Sequence, residues 1–158
     1  MKELSEGEAL NKAAAYCTLC ERCIHEVVTK LTAWGVAYEP QQRIVKRLIE
    51  EQFIDEQRYC HAFVSDKIRF NHWGRIKIAA SLREKHLPQP LVKEALDSID
   101  EEEYYTTLTT IIATKRKEIK ETDKYKVNSK LLRFAASRGF EPSLIMQALK
   151  FNPDEVDF

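Results

Sequence analysis

The run His86-Leu87-Pro88-Gln89-Pro90-Leu91-Val92-Lys93-Glu94-Ala95-Leu96 returns 53 residues later as Gly139-Phe140-Glu141-Pro142-Ser143-Leu144-Ile145-Met146-Gln147-Ala148-Leu149. In both, a small or polar residue and an apolar one precede a proline. Two apolar residues, a gap of two and two more follow. That spacing puts the apolar residues on one face of a helix, and proline belongs in a first helical turn. A third copy reads Gly35-Val36, Pro40 and Ile44-Val45-x2-Leu48-Ile49. Generic amphipathicity accounts for the apolar pairs alone; the shared joint in front of them marks a repeat. In the first copy the joint, taken from Val36 to Arg43, is about four residues longer than its counterparts.

Outward from each joint, two more helices precede it. The first segment has a helix carrying Leu10, Ala13, Ala14 and Cys17, then one from about Ile24 to Trp34 with Val27, Val28 and Leu31 inward. In the second, Asp55 caps a helix through Tyr59, Cys60, Phe63, Val64 and Ile68, which stops at Asn71-His72-Trp73-Gly74. Asn and Gly suit a helix end and the next N-cap. The following helix starts at Arg75 and turns Ile76, Ile78, Ala79 and Leu82 inward, with Lys77, Ser81 and Lys85 as a row on the other face. In the third, acidic Asp100 to Glu103 suits a helix N-terminus, and Tyr105, Leu108, Ile112 and Ile119 form the apolar face. Asp123 caps the next helix, with Leu131, Leu132 and Ala135. The expected fold is all-α, an elongated tandem array of three three-helix modules. Their expected bounds are 1–53, 54–99 and 100–151, followed by an acidic tail at 152–158. Modules this short bury little core and lean on their neighbours.

Charge is distributed unevenly. The chain has 25 Lys/Arg and 25 Asp/Glu in 158 residues, so bulk charge gives no general affinity for nucleic acid. Yet Lys67 to Lys85 holds six cations, Lys67, Arg69, Arg75, Lys77, Arg83 and Lys85, against the single acid Glu84. A basic island in a neutral chain points to an anionic partner, although a solvated helix face has the same composition. Trp73 within it is either a stacking platform or a core plug. Secondary basic candidates are Arg43 and Arg47, then Lys126, Arg133 and Arg138.

Other chemistry is sparse. Cys17, Cys20 and Cys23 are spaced like part of an iron–sulfur run, but Val27 and Val28 stand where the fourth ligand and its proline belong. Cys60 and the four histidines are not paired at zinc spacings, so neither metal nor cofactor is expected. There is no phosphate-cradling glycine loop or nucleophile elbow, and Glu26–Lys30 reads as an ordinary helix pair. Without an apolar signal region or a run of roughly 20 apolar residues, the protein is expected to be soluble, cytoplasmic and non-enzymatic.

The repeat and the joint resemble the RecX family, bacterial regulators of the RecA recombinase, from about Glu8 to Lys150. The resemblance rests on Phe53-Ile54-Asp55-Glu56-x2-Tyr59, Phe63-Val64-x-Asp66-Lys67, Arg69-Phe70-Asn71-x-Trp73-Gly74-Arg75-Ile76-Lys77-Ile78 and Leu82-Arg83-x-Lys85. Val92-x2-Ala95-Leu96 and Arg138-Gly139-Phe140 complete it. It implies binding along the helical groove of a RecA–single-stranded-DNA filament, by a chain expected to be a monomer. Such proteins block strand exchange, ATP turnover and cleavage of the SOS repressor, and favour filament loss. The zero net charge of this chain argues against strong independent DNA binding and leaves room for weak direct binding. Lys67, Arg69, Arg75, Lys77, Arg83 and Lys85 match the family's basic positions. Cys23 stands where the family often has a Ser cap and His86 where it often has Gly. A stand-alone DNA-binding helical protein and a protein-binding adaptor remain the alternatives.

Overall fold

The computed structural model describes residues 3–150. The acidic tail expected at 152–158 lies outside the described residues. Among the described residues all regular structure is helical: α1 (Glu6–Leu19), α2 (Ile24–Ala33), α3 (Tyr38–Glu50), α4 (Glu56–Asp66) with a π-helical extension Lys67–Asn71, α5 (Arg75–Glu84), α6 (Gln89–Asp97), α7 (Glu101–Glu118), α8 (Lys124–Ser137) and α9 (Pro142–Lys150). The starts obey local chemistry. Ser5, Asp55, Asp100 and Asp123 each accept a backbone N–H from the first turn that follows.

The three repeated joints share one backbone solution. Gly35, His86 and Gly139 have φ of 81°, 59° and 95°, and each lies just past the second helix of its segment. In each, the next residue's N–H reaches back to the last turn: Val36 to Leu31, Leu87 to Leu82 and Phe140 to Ala135, at 3.0, 3.2 and 3.3 Å. That is a Schellman turn, closed by an apolar residue. One residue later the following helix begins, with carbonyls of Ala37, Pro88 and Glu141 accepting from Gln41, Val92 and Ile145. All three joints therefore have one length, which corrects the longer first joint read from sequence. The extra residues lie inside α3, which has 13 residues against nine in α6 and nine in α9. About one helical turn was added, and the apolar face stayed where it was.

The chain forms two compact units. Among the described residues, one comprises 3–63 and Leu82–Ala95; the other comprises Val64–Ser81 and 96–150. In the first, α1, α2 and α3 pack on one another around Ala9, Ala13, Val27, Leu31, Ile44 and Leu48. In the second, α7, α8 and α9 do the same around Tyr104, Leu108, Ile112, Leu131, Ala135, Phe140 and Ile145. The middle helices α4, α5 and α6 each pass from one unit to the other along their length.

Some inward residues differ from expectation. Tyr104, not Tyr105, is the buried tyrosine of α7, and Ile119 lies just past its end. Ile78 and Leu82 are buried as the period requires, but Ile76 is exposed, because at about 100° per residue it stands roughly 200° from Ile78, on the other side of α5. None of the described helices is long and apolar enough to cross a membrane.

Candidate functional site

The basic joint belongs to the second unit through Lys67, Arg69, Trp73, Arg75 and Lys77. The helix ends at Asn71 and Gly74 caps α5, where the sequence placed them. Between α4 and that end the helix loosens into its π-helical extension, and His72 is the left-handed residue, with φ 55°. The N–H groups of both His72 and Trp73 converge on the Lys67 carbonyl. This folds Trp73 back under two ammonium groups, with Lys67 Nζ 4.7 Å and Lys77 Nζ 4.5 Å from its ring centroid. Cations over an indole face are held by its quadrupole. Trp73 is half-buried, neither a full core plug nor an open platform.

Gly74 has an ordinary backbone and is required for proximity. A Cβ there would stand 2.4 Å from the Gly139 carbonyl and the Phe140 nitrogen. The Gly74 N–H donates to the Arg138 carbonyl at 2.7 Å, and the Ile76 N–H to the Gly139 carbonyl at 3.0 Å. The start of α5 is thereby stitched to the joint between α8 and α9.

Arg75 turns inward from this seam. Its guanidinium lies 3.9 Å over the Tyr104 ring and bonds Glu101 and, at 2.9 Å, Glu141. The Tyr104 hydroxyl accepts the Arg75 N–H at 2.9 Å and donates to Glu141. Burial works against the Arg75 charge, but the hydrogen bonds to Glu101 and Glu141 outweigh it and hold its pKa above the ordinary value. Burial, aided by Glu141, pushes the Tyr104 hydroxyl up. Arg69 bonds Glu103 at 3.2 Å. Two expected partner-facing cations are thus answered by the first turn of α7. The signal was in the sequence: three consecutive glutamates, Glu101 to Glu103, were read only as complements to their own helix end.

Arg138 lies on the same unit, exposed, 5.2 Å from the Phe134 ring. Lys126 and Arg133 are exposed on α8. Arg83 and Lys85 belong to the first unit. Arg83 is exposed, whereas Lys85 is half-buried and bonds Glu26 at 3.2 Å. Glu26 also accepts the Cys23 N–H at 3.1 Å, so it serves as a cap and an ion-pair partner and not as the expected mate of Lys30. Lys30 instead lies over Tyr16, 5.4 Å from the ring centroid. Arg43 bonds Glu6 at 2.7 Å and Arg47 bonds Glu51 at 2.6 Å. Ser81 is also only half-buried, so the outward row Lys77, Ser81 and Lys85 is no exposed ridge.

Of the cysteines, Cys17 lies on α1, Cys20 is exposed at its end, and Cys23 and Cys60 are buried. Burial pushes both buried thiols up to about 11. Among the described residues, no three His, Cys, Asp or Glu side chains are arranged to hold a metal ion.

These features define an all-α protein of tandem three-helix segments, with a cation-flanked indole at one helical joint. Residues 55–96 match the family model for the second three-helix domain of RecX, and residues 101–149 that for the third. The chain belongs to the RecX family. A regulatory protein RecX of Clostridium perfringens (strain SM101) is 33% identical over 73% of the chain, and that of Clostridium botulinum (strain Eklund 17B) 30% identical over 79%. The chain spans little more than half of each, 54% and 59%. A regulatory protein RecX of Prosthecochloris aestuarii is 26% identical over 94% of the chain and 96% of its own length. The crystal structure of RecX from Lactobacillus salivarius shares the fold, with a TM-score of 0.82 over 92% of this chain and 94% of that one at 17% identity.

Proposed function

We propose that the protein is a negative regulator of the RecA recombinase. In this reading it binds the RecA–single-stranded-DNA filament and restrains strand exchange, ATP turnover and cleavage of the SOS repressor. The observation that carries the reading is the match of residues 55–96 and 101–149, in order, to two successive RecX domains. The charge balance agrees. The chain has no net charge, and Arg69, Arg75 and Lys85 of the basic stretch are already paired to carboxylates, which weighs against strong independent DNA binding through that stretch. Lys67, Lys77 and the Trp73 between them are the primary contact residues, with Arg83 and Arg138 as further cationic contacts.

One assay tests this: binding of the full chain to bare single strand, to bare RecA and to the assembled filament, alongside RecA ATP turnover. Filament binding stronger than either component, with turnover falling as binding saturates, is the expected result. Binding to bare DNA as tight as to the filament would make the protein a DNA-binding module instead. In the charge-reversed pair Lys67→Glu and Lys77→Glu, filament affinity should fall while the helical signal is kept.

A further inference from the structure

The second unit leaves two large apolar side chains in solvent beside its basic joint. Phe70 is 77% exposed and Ile76 54% exposed. Single exposed apolar residues are common on any surface, but these two are held in place. Phe70 lies in the π-helical extension of α4, one residue before its end, in a departure from α-helix that often marks functional segments. Each follows directly on an arginine tied to the first turn of α7, Arg69 to Glu103 and Arg75 to Glu101. The Ile76 backbone is pinned to Gly139. Between them Trp73 carries the ammonium groups of Lys67 and Lys77.

We infer that Phe70 and Ile76 are the anchors of a protein-docking surface. Its occupant is the protein component of the filament, presenting apolar pockets with carboxylates at their rim to receive Lys77. This rests on the regulator reading and specifies which part of the filament the second unit touches. The local charge decides against nucleic acid. A phosphate approaching Arg69 or Arg75 would have to displace a carboxylate already bound, and would meet the exposed Glu101 and Glu103. Ile76, moreover, has no π-face on which a base could stack. Large apolar anchors ringed by charge are the composition of a protein–protein hot spot.

The test compares Phe70→Ala, Phe70→Leu and Ile76→Ser with the parent, each verified as folded by thermal melting. Binding is read on filaments assembled with a slowly hydrolysed ATP analogue and on bare oligothymidylate. Phe70→Ala and Ile76→Ser should each weaken filament binding by about tenfold, with binding to oligothymidylate unchanged. Phe70→Leu should stay within a few fold of the parent, because a pocket accepts an aliphatic side chain. If Phe70→Leu falls as far as Phe70→Ala, and oligothymidylate binding falls with it, Phe70 stacks on a base and the inference is overturned. Parental filament binding by all three variants would also overturn it while leaving the regulator reading intact. A parent that does not bind the filament removes that reading, and this occupant with it.

Discussion

Gly35 and Gly139 adopt the same left-handed shape in different surroundings, and a methyl group distinguishes them. At Gly35 an added Cβ meets nothing within 4 Å, so only the backbone preference opposes Gly35→Ala, about 1–2 kcal/mol. At Gly139 the same atom would stand 2.3 Å from the Lys77 Cβ and 2.6 Å from its nitrogen. Gly139→Ala should therefore lower the urea midpoint well beyond Gly35→Ala, and a near-equal pair would show that the seam with α5 is loose. Glu26 gives a pH signature. Burial pushes its carboxyl up, but the Cys23 N–H and Lys85 outweigh this and leave it below its ordinary value. A depressed acid stabilises above its unfolded pKa, and that stability is lost as pH falls through the folded one. Glu26→Gln should thus be less stable than the parent near neutrality. The two unfolding curves should converge as pH drops below about 4.

Among the elements, helix starts and joints were legible because single residues encode them. The caps Asp55 and Asp123, and the stops Gly35, His86 and Gly139, act over one turn. What sequence could not show is which cation meets which acid. Arg75 and Glu141 are 66 residues apart and come together only because Gly74 lets α5 approach the last joint. The exposure of Phe70 was hidden for a related reason. Helical period assigns a face by counting, and the count breaks where α4 widens to a π-helix and restarts after His72. The Tyr104 hydroxyl serves both the Arg75 N–H and Glu141. Tyr104→Phe leaves that N–H without its acceptor, at a cost of about 1–3 kcal/mol. Thermal melting should register it without change in helical content, and a neutral outcome would mean that water replaces the hydroxyl.

For the molecule as a whole, three helices carry the chain between the two compact units, so neither unit is an independent stretch of sequence. The repeat made the helix order readable; that the middle helices are divided between the compact units follows from long-range packing, which the repeat does not encode. Leu31, in the first unit, and Leu131, in the second, are each fully buried. Leu31→Ala and Leu131→Ala should each cost about 2–5 kcal/mol. Because α4, α5 and α6 are common to both units, each should shift one shared unfolding transition. Two separate transitions, each moved by only one of the variants, would show that the units melt independently.

The fixed joint also limits how such a chain can change length over evolution. Its backbone is specified residue by residue: a left-handed stop, an apolar closure, then the first carbonyl of the next helix. An inserted residue there would rotate everything downstream by about 100° and point an apolar face at solvent. A whole extra turn inside the helix beyond does almost nothing to that face, and α3 already carries one. Insertions and deletions are therefore tolerated in multiples of a turn within third helices, and rejected in the three residues that precede them.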